Sequence, residues 1–316
     1  MLQQNGSLSM LIVNNPSGLH HEMPEGHPER IARLETVFAV LTEVEADRVE
    51  APLGVEDDVA LCHPQTYIDA MRNAMPEAGL AQIDADTSAS PGTWEAAMRG
   101  VGGCLLAVDR VLSGVHKRAF VATRPPGHHA EKTRAMGFCL FGNVAIAARH
   151  ALERHGLARV AIVDFDVHHG NGTQDLLWDE PRALFISSHQ MPLYPGSGAV
   201  HERGASDNVM NLPLPPGSDG QAMRSRYESH VFPRLRDFEP EMIFISAGFD
   251  AHARDPLAQL NWETEDFAWV TRELVKVAEE VCEGRIVSTL EGGYDLQGLG
   301  DGVLAHVTEL EDHDDR

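Results

Sequence analysis

Residues 160–172 read VAIVDFDVHHGNG and change character halfway. VAIVDF (160–165) is a short β-branched run suited to a strand covered on both faces, and the Asp, His, Asn and Gly residues come directly after it. Five further runs have the same apolar character: LSMLIV (8–13), AFVAT (119–123), ALFIS (183–187), MIFIS (242–246) and RIVSTL (285–290). Helical spacing fills the stretches 94–112, 143–156 and 263–284 between them. This alternation predicts a layered α/β fold. The Pro-rich segment NLPLPPGSDG (211–220) reads as a long loop rather than an interdomain linker, because the strand pattern resumes after it. Residues 1–316 are therefore expected to form one catalytic domain, with a frayed acidic end at EDHDDR (311–316) and no internal repeat.

The chain has 316 residues, 43% hydrophobic and 23% charged, enough for a large buried core. With 25 Lys and Arg against 48 Asp and Glu, its net charge of -23 argues against direct contact with nucleic acid. Cationic groups such as lysine side chains or polyamines would be attracted, although an acidic surface also serves solubility alone. Cys62, Cys104, Cys139 and Cys282 are scattered with no C-x-x-C pair, so neither a thiolate zinc site nor a disulfide framework is expected. The opening MLQQNGSLSMLIVNN lacks the build of a signal peptide, and no run nears the roughly 18 apolar residues of a membrane span. These features predict a cytoplasmic protein with no membrane partner.

Ligands of open parallel sheets gather where strands end, because loops there can converge on one crevice. Here four runs lead into polar loops: RPPGHHAE (124–131), DFDVHHGNG (164–172), AGFDAHARDP (247–256) and EGGYD (291–295). Asp166 and His168 are two apart, so an extended chain presents both on one side. With Asp250 from another loop they complete the three N and O ligands of a catalytic zinc, while iron(II) suits the same set. His128 and His129 could supply the base and acid of amide hydrolysis, with Asp164 and Asn171 fixing their tautomers. Tyr294, after two glycines, could direct its phenol at a developing oxyanion. Each motif has a plain structural reading as well: a capping Asp beside a surface His, a satisfied core His, a Tyr closing a strand. The four loops together are what favour an assembled site.

In this order the segments RPPGHHA, GFCLFGN, DFDVHHGNGTQD, SSHQ, AGFDAHARDP and LEGGYD closely resemble the histone deacetylase family, particularly its class II and bacterial members, and GHPERIAR extends the likeness to almost the whole chain. The resemblance implies the three-layer arginase-deacetylase fold, with a central, mainly parallel sheet and helices on both faces. It implies hydrolysis of acetyl-lysine-type amides by metal-activated water, on an acetylated lysine peptide or protein or a small acetylated amine. It matches Asp166, His168 and Asp250 to zinc ligands, His128 and His129 to the active-site pair, and Tyr294 to the transition-state tyrosine. Phe138 and Tyr194 match the tunnel walls, Asp86 the rim carboxylate and Arg33 the gate of an inner acetate channel, while Gly137 and Leu257 are carried over as substrate-binding positions. A structural potassium ion is implied at Asp164, Asp166, His168, Ser187 and Ser188, largely through main-chain oxygens.

Departures from the family pattern are local. Asn171 stands where class I members have Asp, as in class II enzymes, and Tyr194 replaces the commoner Phe. Ile31 stands where the family often has Pro. Three other readings compete. An arginase-type ureohydrolase with two manganese ions would need carboxylates at positions held by Gly170 and His252. A non-enzymatic acyl-binding module is disfavoured by intact His128, His129 and Tyr294. Acetylpolyamine hydrolysis remains open within the enzyme class, as does homo-oligomerisation.

Overall fold

The computed structural model describes residues 10–311, so Leu8 and Ser9 of the first expected strand and all but Glu311 of the acidic end lie outside the described residues. Among the described residues there are ten strands: β1 (Leu11–Asn14), β2 (Asp47–Glu50), β3 (Ala81–Gln82), β4 (Ser88–Ala89), β5 (Arg118–Ala122), β6 (Val160–Asp164), β7 (Ala183–Gln190), β8 (Val209–Leu214), β9 (Ile243–Ala247) and β10 (Ile286–Leu290). Eight of them form one sheet in the order β2-β1-β5-β10-β9-β6-β7-β8, every neighbouring pair parallel. The short strands β3 and β4 make a separate antiparallel hairpin.

Burial on both faces explains why the central strands are continuous apolar runs. Alternate residues serve opposite cores: Phe120, Ala161, Val163, Ile243 and Ile245 enter one cluster, while Ala119, Val160, Ile162 and Phe244 enter the other. The helices Ile31–Leu41, Thr264–Cys282 and Leu296–Leu310 cover the first face, and Thr93–Leu112 and Asn143–Glu153 the second. The result is three layers around a parallel sheet, the layering that the family resemblance implies.

Each of the six expected strands is present, with ends moved by a few residues. The segment 211–220 differs: its first four residues, NLPL, belong to edge strand β8, and Asp219 then accepts from Ala222 N to cap the helix Gly220–Arg226. Pro213 disguises that strand, yet it is tolerated because an edge strand needs ladder donors on one side only. All four cysteines are buried and free. No helix among the described residues is long and apolar enough to cross a membrane.

Candidate active site

β5, β10, β9 and β6 are consecutive neighbours in the sheet, and the four polar loops leave their carboxyl ends. The sheet order, which no sequence pattern reveals, therefore gathers over its centre loops whose contacting residues lie as far as 164 positions apart, as Gly127 and Glu291 do.

The metal-competent cluster lies there. The ligand atoms of Asp166, His168 and Asp250 fall within 4.8 Å of one another, and all three residues are buried. His168 Nδ1 sits 3.1 Å from Asp166 Oδ1 and 3.1 Å from Asp250 Oδ2. Backbone donors orient the carboxylates: Val167 N to Asp250 Oδ1 at 2.9 Å and Gly292 N to Asp166 Oδ2 at 2.9 Å. A Cβ on Gly292 would overlap both Asp250 and Asp166, so only glycine lets the loop after β10 close against them. Two buried carboxylates facing one imidazole suit a divalent cation, because its charge replaces the water they have lost. The residues present fit zinc.

Beside this cluster the two adjacent imidazoles lie 4.0 Å apart and have contrasting partners. His128 Nδ1 meets Asp164 Oδ2 at 3.0 Å, and its Nε2 is 3.7 Å from Asp166 Oδ2. Burial disfavours charge on His128, but Asp166 and Asp164 outweigh it and raise its pKa well above the ordinary value. His129 Nδ1 instead meets Asn171 Oδ1 at 2.7 Å. Burial, reinforced by the charges of His128 and His168, drives its pKa well below the ordinary value. Two like groups in contact are thus set for different protonation states. A Cβ on Gly137 would overlap the His129 ring, which explains glycine at that wall, where the backbone also takes a positive φ of 57°.

Tyr294 is buried, with Phe138 at 5.9 Å and the Arg33 guanidinium 4.9 Å above its ring. Burial raises the pKa of its phenol well above normal, Arg33 opposing and the carboxylates of Asp250 and Asp166 adding to the rise, so it stays a protonated donor. Arg33 is itself enclosed, donating to Glu29 Oε1 at 2.9 Å and to the carbonyls of Gly293 and Glu291 at 2.6 Å each. Tyr194 stands at 5.2 Å from His129 and 6.2 Å from His168, partly open to solvent. Asp86, half-buried in the turn between β3 and β4, accepts from Gly137 N at 3.0 Å and so supports the segment bearing Phe138. Ser187 faces Asp164 in the β6–β7 register, and Ser188 Oγ lies 2.7 Å from the Tyr227 hydroxyl. Leu257 is further out, tied by its N–H to Asp255 Oδ1 at 3.0 Å.

Four carboxylates within the recognised motifs were not singled out from sequence. Glu131 Oε1 accepts from Asn171 Nδ2 at 2.7 Å. Glu291 Oε2 accepts from the backbone N–H groups of Gly127 and His128 at 2.7 and 3.1 Å, joining the β10 loop to the histidine loop. Asp255 Oδ2 accepts from Tyr294 N at 2.7 Å and so positions the tyrosine. Glu29 pairs with both Arg33 and Arg124 in a fully buried network. An acidic residue in a loop following a buried strand is the signal all but Glu29 share.

Comparison with known proteins accords with this arrangement. The family described as Histone deacetylase domain matches residues 27–310. The rice protein named Histone deacetylase 10, chloroplastic, is 39% identical over 93% of this chain and 71% of its own length. The Histone deacetylase-like amidohydrolase of Pseudomonas aeruginosa is 37% identical over 92% of this chain and 77% of its own. Among solved structures, the HDA15 HD domain superposes with a TM-score of 0.89 at 30% identity, covering 95% of this chain and 90% of that one. The chain belongs to the histone deacetylase domain family.

Proposed function

We propose that this protein is a zinc-dependent amidohydrolase that removes acetyl or short acyl groups from acetyl-lysine-type amides, with residues 1–316 acting as one catalytic domain. The observation carrying this reading is the buried Asp166–His168–Asp250 cluster bordered by an imidazole pair and a protonated tyrosine. Asp166, His168 and Asp250 would hold the ion. When bound, zinc supplies a Lewis acid that polarises a carbonyl and acidifies water.

The protein's own groups supply the rest. His129, neutral and with Nδ1 engaged by Asn171, offers Nε2 as a proton acceptor. His128, its Nδ1 engaged by Asp164, lies beside the cluster, where it can stabilise negative charge and give a proton to a leaving amine. Tyr294 donates its hydroxyl to the oxygen that becomes anionic, and Arg33 braces the ring from behind. Phe138 and Tyr194 flank the entrance for a methylene arm, next to Gly137, and Asp86 serves the substrate backbone at the rim. The register of Asp164 opposite Ser187 supports the reading that Asp164, Asp166, His168, Ser187 and Ser188 would hold a potassium ion. A second catalytic metal has little support, because His252 stacks on Phe267 with an interplanar angle of 3° and its Nδ1 accepts from Arg254 N at 3.2 Å. Acetylpolyamine hydrolysis is the second reading, favoured by the net charge of -23.

The deciding experiment is a rate comparison on acetylated peptides, free acetyl-lysine and acetylated polyamines, before and after chelation and with zinc or iron(II) restored. Turnover of an acetyl amide that disappears on chelation and returns with the metal is the expected result. Lack of turnover on every acetyl amide in the metal-loaded protein would leave an acyl-binding module.

A further inference from the structure

Outside the catalytic cluster, one other group of three metal-competent side chains exists among the described residues: Asp109, His150 and His155. We propose that these residues form a second, surface site for a zinc-class divalent transition ion. Its donor set is two imidazole nitrogens and one carboxylate oxygen, with solvent completing the shell. His150 Nε2 and His155 Nε2 lie 2.8 and 2.7 Å from the same oxygen, Asp109 Oδ1. The two rings are 5.1 Å apart, so both nitrogens converge on one point from different directions. Ligands about 2.1 Å from a tetrahedral ion are separated by roughly 3.4 Å, so small side-chain rotations would admit the metal.

The fold gives this point a second reason to attract a cation. Asp109 lies in the last turn of the helix Thr93–Leu112 and His150 in the last turn of Asn143–Glu153. These helices run side by side in the same direction, since a Cβ on Gly100 would approach Asn143 at one end while Asp109 meets His150 at the other. Their carbonyl ends, each the negative pole of a helix dipole, therefore lie together. Gly156, with φ of 72°, turns the chain just beyond His155 and lets Leu157 N bond back to Ala151 O at 3.2 Å. His155 is thus fixed beside the helix end rather than left on a free tail. Arg149 of the same helix is paired with Glu180, and His150 is mostly enclosed, with 12% of its side chain exposed. A plain alternative is that two neutral imidazoles donate to Asp109 with no ion involved. Only metal retention separates the two.

The test uses the 316-residue protein with the Asp166–His168–Asp250 cluster already loaded, titrated with zinc chloride in competition with a chromophoric chelator. The wild type is expected to take one further equivalent and to show a higher Tm with it. His150→Ala/His155→Ala should take none and show no zinc-dependent Tm rise, while Asp109→Asn should bind at least tenfold more weakly. Asp250→Asn should keep the surface equivalent, which separates this site from the catalytic one. If the wild type takes no further equivalent, or if the double variant takes the same one, the site does not exist.

Discussion

Asn171 turns its carboxamide oxygen toward His129 Nδ1 at 2.7 Å because its nitrogen is committed to Glu131 Oε1, also at 2.7 Å. A carboxylate only accepts, so Glu131 fixes which way the amide faces and thereby makes His129 Nδ1 the donor. His129 Nε2 remains an unprotonated acceptor. Replacing Asn171 with Asp would put an opposite charge behind an imidazolium and raise the pKa of His129. Since Glu131 would repel that charge, the informative protein is Asn171→Asp/Glu131→Gln. Its acidic limb in kcat/KM against pH should move to higher pH. An unmoved limb would mean that His129 is not the base. His129→Ala should lose on the order of 10² to 10⁴ in turnover, and selective damage in His128→Ala instead would exchange the two roles.

Tyr294 shares no ligand atom with the metal cluster, and its position comes from Asp255 and Arg33. Removing its hydroxyl should affect the chemical step alone. Tyr294→Phe should retain its zinc and lose on the order of 10² to 10³ in kcat. Metal content and rate measured on the same preparation check this. Near-normal turnover would remove Tyr294 from the reaction.

The Asp166–His168–Asp250 cluster should hold one tightly bound divalent ion per chain. Measured in the His150→Ala/His155→Ala background, so that the surface group does not contribute, metal analysis should give about one zinc-like ion. Asp250→Asn in that background should lower both occupancy and rate, because it removes a charged ligand and perturbs the acceptor of Val167 N. Two tightly held manganese ions would favour ureohydrolase chemistry.

The legible parts of the fold and the illegible ones differ for a physical reason. The central strands β5, β6, β9 and β10 are buried on both faces and therefore spell themselves as apolar runs. The edges do not. β2 reads DRVE and is largely exposed, and β8 carries Pro213, so neither has the composition of a core strand although each pairs in register. The site follows the same division. Asp166, His168, Asp250, His128, His129 and Tyr294 stand in loops after legible strands, whereas Glu29 and Arg124 pair across 95 residues through packing alone. Spacing marks residues near one another in the chain, and sheet order brings the rest together.

Several histidines away from the reaction predict how stability depends on pH. Burial holds His306 at about 3 and His63 at about 4, and it holds His21 at about 4 despite Glu29 nearby. In the unfolded chain each would protonate near 6.5. Below that pH the unfolded state binds more protons, so stability falls as pH drops toward 4 and ceases to fall from each group once its folded pKa is passed. Each such group contributes a slope of roughly 1.4 kcal/mol per pH unit in that window. Glu29 acts lower. Burial would raise it, but Arg124 and Arg33 hold it at about 2, so its contribution is complete above about 4.5 and disappears toward pH 2. Burial raises Asp255 and Glu291 to about 7, which adds the opposite slope in the same window, so the readout is a difference: in denaturant melts at pH 7, 6, 5 and 4.5, His306→Gln should lose less stability on acidification than the wild type, by about one proton. Equal slopes in the two proteins would mean that His306 is already protonated in the fold.

Substrate choice should depend on Leu257. Its N–H is held by Asp255 Oδ1 while Asp255 Oδ2 holds the backbone of Tyr294, so one carboxylate ties this position to Tyr294. Leu257 is half-buried and uncharged, and a polyamine's second ammonium arriving there would lose water without gaining a counter-charge. The backbone beside an acetyl-lysine is neutral and needs none, and Asp86 can accept its amide hydrogens. The net charge of -23 pulls toward the polyamine, but that field acts on any cation and is screened beyond about 8 Å at physiological salt. Contact chemistry should therefore dominate. Acetyl-lysine peptides should have higher kcat/KM than acetylspermidine, and Leu257→Glu should narrow or reverse the ratio. A wild-type preference for acetylspermidine over several unrelated peptides would overturn the Leu257 argument and replace the lysine reading with the polyamine one.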